Sequence, residues 1–74
     1  MDKELFKSLK SGDKVKFVKL ISLHDGELPP IGSTLTKRSS WLDDGEANAF
    51  DFEVDGVADF HFFYAEEVEL IEQA

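Results

Sequence analysis

The residues of this sequence that could take part in chemistry are mostly carboxylates, and they concentrate in its second half. Asp51, Glu53 and Asp55 alternate with apolar residues and precede Gly56, a spacing similar to the start of a calcium-binding loop. Such a loop needs a bidentate acid at its twelfth position, which here is Phe62. The intervening apolar residues suit an exposed strand better, so we predict neither a metal site nor a cofactor.

A histidine close to these carboxylates is the second candidate for chemistry. His61 could face Asp59 and either Asp51 or Glu53 across a hairpin. A histidine flanked by carboxylates can act as a base or as half of a metal site. No nucleophile motif, phosphate-binding glycine loop or zinc motif accompanies it, and His24 is distant in the sequence. We therefore interpret His61 as a solvent-facing or half-buried side chain and predict that the protein is not an enzyme.

Alternating side chains predict that the acids lie on a β-hairpin. Phe50, Phe52 and Val54 share one side of a strand, and the three acids between and after them share the other. Asp55-Gly56 then favours a two-residue turn, because both central positions need positive φ. A return strand is expected over 57–63. One of its faces carries Phe60 and Phe62, and the other carries Val57, Asp59, His61 and Phe63.

The rest of the chain is predicted to supply a short helix and three more strands. Asp2 caps a helix that ends near Leu9, with its apolar residues on one face. A long connection rich in turn residues separates the first two strands. The predicted bounds are 14–20 and 33–41 for these strands, 64–67 for a short turn of tight helix, and 68–71 for the last strand.

Composition limits the class of protein. The chain has 74 residues, 42% hydrophobic and 32% charged, which predicts one small globular domain over 1–74. It contains no cysteine, so disulfides and thiolate metal sites are excluded. It also has no apolar run of the roughly 20 residues that a membrane span needs. We expect a cytoplasmic protein that does not bind membranes.

The net charge of −8 is divided unevenly along the chain. Residues 1–38 carry all eight Lys and Arg and five acids, which gives +3, whereas 39–74 carry eleven acids and no Lys or Arg, which gives −11. The acids of the second half must therefore face solvent, the N-terminal lysines or a basic partner. A solvated face that keeps the protein soluble is the simplest interpretation, and a docking surface is the functional one.

The order of the predicted elements resembles the Src-homology-three-like (SH3-like) barrel, a family that includes KOW and related small bacterial and phage domains. The resemblance covers residues 9–72. It rests on the segments 9–15 before and into the first strand, 31–33 before the second strand, and 66–71 at the end. It implies a mostly β, five-stranded antiparallel SH3-like barrel over 11–72, preceded by a short helix within 1–10. The small size, the lack of catalytic motifs and the uneven acidity suggest a phage-encoded protein.

Departures from that family narrow the expected function. Peptide-binding members carry an Ala-Leu-Tyr-Asp-Tyr type of motif and paired tryptophans, whereas this chain has Lys14-Val15-Lys16-Phe17 and Trp41. The aromatic groove for proline-rich peptides is therefore missing. Members that bind nucleic acid are basic, so the acidic half argues against direct nucleic-acid binding. A basic strip on the first two strands is the remaining route to it: Lys14, Lys16, Lys19, Lys37 and Arg38.

We therefore expect a non-catalytic acidic protein-binding module, a small regulator or inhibitor that docks on a basic surface of a bacterial protein. We expect Asp51, Glu53, Asp55 and Asp59 on the outer face of the hairpin, and aromatic side chains would serve as desolvated anchors among the acids. The expected contact residues are Asp51, Glu53, Asp55, Asp59, Trp41, Tyr64, Asp43, Asp44 and Glu66, with Phe63 as a further anchor and Glu46, Glu67, Glu69 and Glu72 extending the acidic array. Edge strands of a small open sheet can pair between chains, so we expect a monomer or a weak dimer.

A mimic of nucleic acid, of the kind that phages use to block a host polymerase, nuclease or defence complex, is the alternative. Carboxylates two residues apart on a strand are about 6.6–6.8 Å apart, close to the spacing of phosphates along one nucleic-acid strand. A mimic would compete with nucleic acid for the same groove and would lose affinity steeply as salt is raised. These two properties separate it from an adaptor.

Overall fold

The computed structural model describes residues 1–21, 28–40 and 47–73, without the side chains of 39 and 40. Within these ranges the chain forms α1 (Lys3–Ser8), β1 (Lys14–Phe17), β2 (Thr34–Ser40), β3 (Ala47–Val54), β4 (Val57–Tyr64), a 3₁₀ turn (Ala65–Glu67) and β5 (Val68–Glu72). The strands form one antiparallel sheet in the order β4-β3-β2-β1-β5. The prediction of a mostly β, five-stranded antiparallel fold with a short N-terminal helix is confirmed.

The two edges of this sheet are β4 and β5. They are not paired with each other, so the sheet is not closed into a continuous hydrogen-bonded ring. An edge strand presents backbone N–H and C=O groups that can pair with another chain.

Helix α1 begins where the Asp2 carboxylate accepts a hydrogen bond from the Leu5 N–H at 3.3 Å. Its six residues are too few for stability in isolation, so packing must hold it. Phe6 and Leu9 are buried, and the Phe6 carbonyl accepts a hydrogen bond from Asn48 Nδ2 at 3.0 Å. The predicted helix is thus confirmed as an element docked on the sheet. Across the described ranges, no helix has the length and apolar character to cross a membrane.

Strand β1 is shorter than the predicted strand of 14–20, because the chain leaves the ladder after Phe17. The Val18 and Lys19 N–H groups both donate to the Glu67 carbonyl, at 2.9 and 3.3 Å. The chain therefore turns toward the 3₁₀ turn. Alternation alone predicted a longer strand because the tertiary hydrogen bonds that end it come from a distant segment.

Strands β3 and β4 form the predicted hairpin, with Val54 opposite Val57 across a two-residue turn. The φ angles are 52° at Asp55 and 79° at Gly56. Both central residues thus occupy the left-handed region that such a turn requires. The turn fixes the register of the hairpin, and the register decides which face each side chain takes.

Substitution of Gly56 by alanine is expected to lower the free energy of unfolding by about 1–2 kcal/mol, because a Cβ disfavours the left-handed conformation. In the described part of the chain, no heavy atom outside the turn's own neighbours lies within 4 Å of the position that this Cβ would take, so the cost is conformational and not a clash. Gly56→Asn is the matched control, since asparagine tolerates this region better. Urea unfolding of both variants measures the difference, and equal losses would contradict the explanation.

Four phenylalanines from separate elements form the centre of the core. Phe6 of α1, Phe17 of β1, Phe50 of β3 and Phe63 of β4 are each at most 2% exposed. The Phe63 ring lies edge-on to two of the others, with centroids 5.3 Å from Phe17 and 5.9 Å from Phe50. Such contacts add to the apolar burial that holds a chain of this length together. The core thus holds β4 against β3 and β1. The other face of the hairpin is exposed near the turn, whereas Ala47 and Ala49 on that face are buried.

Candidate protein-binding surface

The register of the hairpin divides its side chains between the two faces of the sheet. Asp51 lies opposite Phe60, and Glu53 lies opposite Ala58, so these residues point to the same side. Phe50 and Phe52 point to the other side and are buried. We call the exposed residues on the first side the hairpin face: Asp51, Glu53, Ala58, Phe60 and Tyr64.

Asp59 does not belong to the hairpin face, so the prediction of four carboxylates on one outer face is wrong for this residue. Asp59 lies opposite Phe52, whose side chain enters the core. A two-residue turn after Val54 pairs the odd-numbered residues of β4 with the core-facing residues of β3. Asp59 is nevertheless exposed, and its Oδ1 accepts a hydrogen bond from the Phe60 N–H at 2.8 Å.

His61 does not meet Asp51 or Glu53 across the hairpin, so the constellation considered as a candidate for chemistry does not form. His61 lies opposite Phe50 on the core-facing side, whereas both acids point to the other side. The histidine ring stacks on Phe52, with centroids 5.7 Å apart and an interplanar angle of 15°. The side chain is half-buried, as the simpler of the two interpretations expected.

Arg38 brings a cation to the hairpin face. The β2–β3 register shifts between Lys37 and Ser39, so Arg38 is the extra residue of a bulge. Its Nη1 lies 3.8 Å from Asp51 Oδ1, and its Cζ lies 4.3 Å from the centroid of the Phe60 ring. The Arg38 and Asp51 side chains are each 51% exposed, so solvent screens the ion pair and it contributes about 0–1 kcal/mol.

The other acids of the sheet differ in how far nearby cations balance them. Lys16 lies opposite Glu69, and Lys14 lies opposite Glu72, on β1 and β5. In the described part of the chain, Glu53 has no salt-bridge partner, and the same holds for Asp55 of the hairpin turn. Glu69 and Glu72 likewise have no salt bridge in that part of the chain, but the hairpin segment 47–64 contains four acids and no Lys or Arg, so negative charge is concentrated there.

Glu67 is buried, which corrects its prediction as a member of the exposed acidic array. Its Oε1 accepts a hydrogen bond from the Tyr64 N–H at 2.9 Å, and its Oε2 accepts one from the Ile21 N–H at 3.4 Å. The carboxylate thus joins the end of β4 to the segment after β1. Its neighbour Glu66 is exposed on the 3₁₀ turn, where it is available to a partner.

The exposed aromatic residues of the hairpin are only partly those predicted. Tyr64 is 39% exposed, but Phe63, predicted as an anchor, is fully buried because it has the core-facing parity. Phe60 is 41% exposed and was missed. The alternation of Phe60 with Asp59 and His61 was the available signal. The sequence did not show, however, which set of alternate residues in β4 faces solvent. The predicted contact residues Trp41, Asp43 and Asp44, together with Glu46, lie outside the described residues.

One member of the predicted basic strip, Lys37, is buried and cannot contact a ligand. It is 6% exposed, and its Nζ donates to the Leu9 carbonyl at 2.6 Å. Burial lowers the pKa of Lys37, and the nearby negative charge of Asp13 acts in the opposite direction. Asp13 is also buried and accepts a hydrogen bond from the Lys10 N–H at 2.7 Å. The burial of Lys37 and Asp13 was not predicted, because charged side chains of an alternating pattern are expected to face solvent.

Metal binding and similarity to known proteins give no further lead. Within the described ranges, no three His, Asp or Glu side chains are placed to hold a metal ion. Comparisons with protein-family models, curated proteins and solved structures found no significant match. The geometry and charge of the hairpin are therefore the basis for a functional proposal.

Proposed function

We propose that this chain is a non-catalytic acidic module that docks its hairpin on a basic surface of another protein. The observation that carries the proposal is the combination on the hairpin face of an exposed aromatic ring, Phe60, with the carboxylates of Asp51 and Glu53. Exposed aromatic anchors supply much of the energy of protein interfaces. Complementary charge around them supplies specificity and speeds association.

The surrounding residues would extend this contact. Tyr64 lies on the same face at the far end of β4, and Asp55 projects from the turn at the near end. Glu66 is exposed just beyond Tyr64. Together they give an acidic strip with an aromatic residue in its middle and another near one end, which matches a basic protein surface that has apolar gaps.

The proposal includes an SH3-like barrel as the fold and a cytoplasmic regulator or inhibitor of a bacterial protein, of phage origin, as the role. The order of elements along the chain, including the 3₁₀ turn before the last strand, is the feature on which the resemblance rests. The absence of cysteine fits a reducing compartment. The proposed assembly is a monomer or weak dimer that meets its partner through the hairpin.

The nucleic-acid mimic is the weaker of the two proposals. A mimic needs carboxylates in one row, but the register directs Asp51 and Glu53 to one face and Asp59 to the other. Arg38 also lies within the row, beside Asp51. These features favour an adaptor whose interface mixes charge with apolar contact.

Capture of partners from a bacterial lysate at low and high salt, followed by mass spectrometry, is the direct test. We expect one protein with a basic surface, retained by the tagged chain and not displaced by added DNA or RNA. Displacement by nucleic acid together with steep loss at high salt would favour the mimic. Recovery of no specific protein would contradict both and leave the acids as a solubilising surface.

Simultaneous neutralisation of Asp51, Glu53 and Asp55, as D51N/E53Q/D55N, is expected to weaken partner binding at least about tenfold. The physical reason is the loss of three negative charges from the hairpin. Arg38 lies beside Asp51, whereas Glu53 and Asp55 have no salt bridge in the described part of the chain. Titration calorimetry with the captured partner measures the change. Because all three side chains are exposed, stability should change by no more than about 0.5 kcal/mol per site.

The matched control carries the same change in net charge at a distance from the hairpin. Glu4 on α1 and Glu69 and Glu72 on β5 are exposed, and E4Q/E69Q/E72Q removes three charges there. Full affinity in this control with loss in the hairpin variant supports the proposal. Equal losses in both would show that only the overall field matters.

A further inference from the structure

The Phe60 ring on the hairpin face already holds a guanidinium group. The ring packs on one side against Phe62, which stands edge-on at 87° with the two centroids 6.1 Å apart. Arg38 Cζ lies 4.3 Å from the Phe60 centroid, and Arg38 Nη1 lies 3.8 Å from Asp51 Oδ1. An aromatic ring beside a carboxylate is thus occupied by a cation from the chain itself.

The kind of cation at this ring is informative. Arg38 is the only arginine among the eight Lys and Arg residues of the chain. A guanidinium group is planar and weakly hydrated, so it can stack on a ring and donate to a carboxylate at the same time. The ammonium group of lysine is a compact and strongly hydrated charge. The combination of Phe60 with Asp51 therefore suits arginine better than lysine.

The contact that Arg38 makes is exposed enough to exchange with a cation from another molecule. The side chains of Arg38 and Asp51 are each 51% exposed, and Phe60 is 41% exposed. The distance of 3.8 Å between the charged atoms exceeds the roughly 2.7–2.9 Å of a charge-assisted hydrogen bond. A guanidinium group that reached Asp51 at the shorter distance would interact with it more strongly than Arg38 does.

An open groove beside the ring gives room for an incoming segment. The groove has a volume of about 540 Å³, and its lining includes Thr34, Thr36, Asp51 and Glu53. Glu53 has no salt bridge in the described part of the chain. Lys14 lines the groove from β1, so a cation inside it is drawn away from β1 and toward the acids of β3.

We propose that the hairpin face recognises an arginine side chain of the partner and that Arg38 occupies this site in the free protein. The partner's guanidinium group stacks on Phe60 and pairs with Asp51 in place of Arg38, and the residues beside that arginine lie in the groove near Glu53. Arg38 is thus an internal competitor that the partner displaces. The inference rests on the proposed function and names the chemical group that the hairpin receives.

The test uses the intact protein labelled with ¹⁵N and a short capped peptide with one arginine between serines. The reference peptides carry lysine at that position, or citrulline, which keeps the planar group without the charge. We expect the arginine peptide to shift the amide signals of Asp51 and Phe60 and to move the Arg38 Nε–H signal to the position of a free side chain. Equal shifts with all three peptides, or no shift with the arginine peptide, would overturn the proposal.

Arg38→Met removes the internal competitor and keeps an unbranched side chain of similar length. We expect it to bind the arginine peptide about three- to tenfold more tightly, because an exposed ion pair and a cation–π contact no longer compete. Lys16→Met is the matched control, since it removes the same charge from an exposed position on β1, which β2 separates from β3. An equal gain in both variants, or weaker binding by Arg38→Met, would overturn the competition.

Phe60→Leu tests the contribution of the ring. Leucine keeps an apolar side chain at this exposed position but has no aromatic face. We expect the variant to bind the arginine and lysine peptides with equal affinity. A preference for arginine as large as that of the wild type would show that the ring does not recognise the guanidinium group.

The captured partner separates this inference from the proposed function. A partner that is lost with D51N/E53Q/D55N, but binds Arg38→Met and the wild type equally, overturns the competition and leaves the acidic module intact. A partner that binds Arg38→Met more tightly and is displaced by the arginine peptide supports the inference. Recovery of no specific partner contradicts the proposed function, whereas the three peptides still decide whether the hairpin face selects arginine.

Discussion

Replacement of Phe63 by alanine is expected to lower the free energy of unfolding by about 3–5 kcal/mol. The ring is fully buried and contacts Phe17, Phe50 and Phe52, with centroids 5.3, 5.9 and 6.4 Å away. Its removal takes apolar surface from the core and leaves a cavity between three strands. A chain of this length has roughly 4–11 kcal/mol of total stability, so the variant should be partly or wholly unfolded. Urea unfolding followed by circular dichroism measures the effect.

Phe60→Ala is the matched control, because it makes the same chemical change on the same strand at an exposed position. It removes the contact with Arg38 and the edge-on contact with the Phe62 ring, whose centroid is 6.1 Å away, so a loss of about 1–2 kcal/mol is expected. Phe60→Ala should remain folded and lose affinity for the partner, whereas any loss of affinity in Phe63→Ala would follow from unfolding. Similar stability losses at both positions would mean that the assigned parity of β4 is incorrect.

Replacement of Lys37 by methionine is expected to destabilise the protein by about 3 kcal/mol at neutral pH. Methionine keeps the apolar stem, but the Leu9 carbonyl loses its donor at 2.6 Å. The buried Asp13 carboxylate also loses a neighbouring positive charge. An unpaired charge in the interior destabilises a protein by more than an intact buried ion pair stabilises it. Thermal and urea unfolding at neutral pH measure this loss.

The pH dependence of stability gives an independent check on Lys37. Its pKa is lowered in the folded protein, chiefly by burial, so the unfolded chain holds the proton more tightly. Wild-type stability should therefore gain a contribution as pH rises from the folded pKa to the unfolded value of about 10.4. This contribution should be missing in Lys37→Met. Identical alkaline profiles for the two proteins would contradict the assignment.

A double-mutant cycle isolates the interaction between the two buried charges. Asp13→Asn combined with Lys37→Met removes both, so neither remains buried alone. The double variant should lose less stability than the sum of the single variants, by about 0.5–3 kcal/mol. Simple additivity would show that Leu9, and not Asp13, accounts for the cost of removing the ammonium group.

The parts of the fold that local rules control could be predicted from the sequence. The Asp55-Gly56 turn, the two strands beside it and the capped helix follow from backbone preference and side-chain alternation. The core-facing residues of β3 could be predicted because its phenylalanines alternate with its carboxylates. Phenylalanine occurs on both faces of β4. The sequence alone therefore could not show that Phe63 lies in the core and Phe60 on the surface.

The buried charges were beyond prediction for a different reason. Glu67 is buried because two backbone N–H groups from separate segments converge on its carboxylate, and Lys37 because a helix-end carbonyl and Asp13 lie beside it. Each partner is distant in sequence, so no local pattern identifies it. The same holds for Arg38, which reaches Asp51 and Phe60 only through a bulge in β2.

The pairing of β1 with β5 also has a consequence for folding during synthesis. Phe17 is opposite Val68, so one side of β1 stays without its neighbour until the last strand has left the ribosome. The β3–β4 hairpin, in contrast, joins residues close in sequence and can form while the chain is still attached. The acidic hairpin can therefore begin to pair its two strands while β1 still lacks β5. We expect the nascent chain to gain resistance to protease only when residues 68–72 become available.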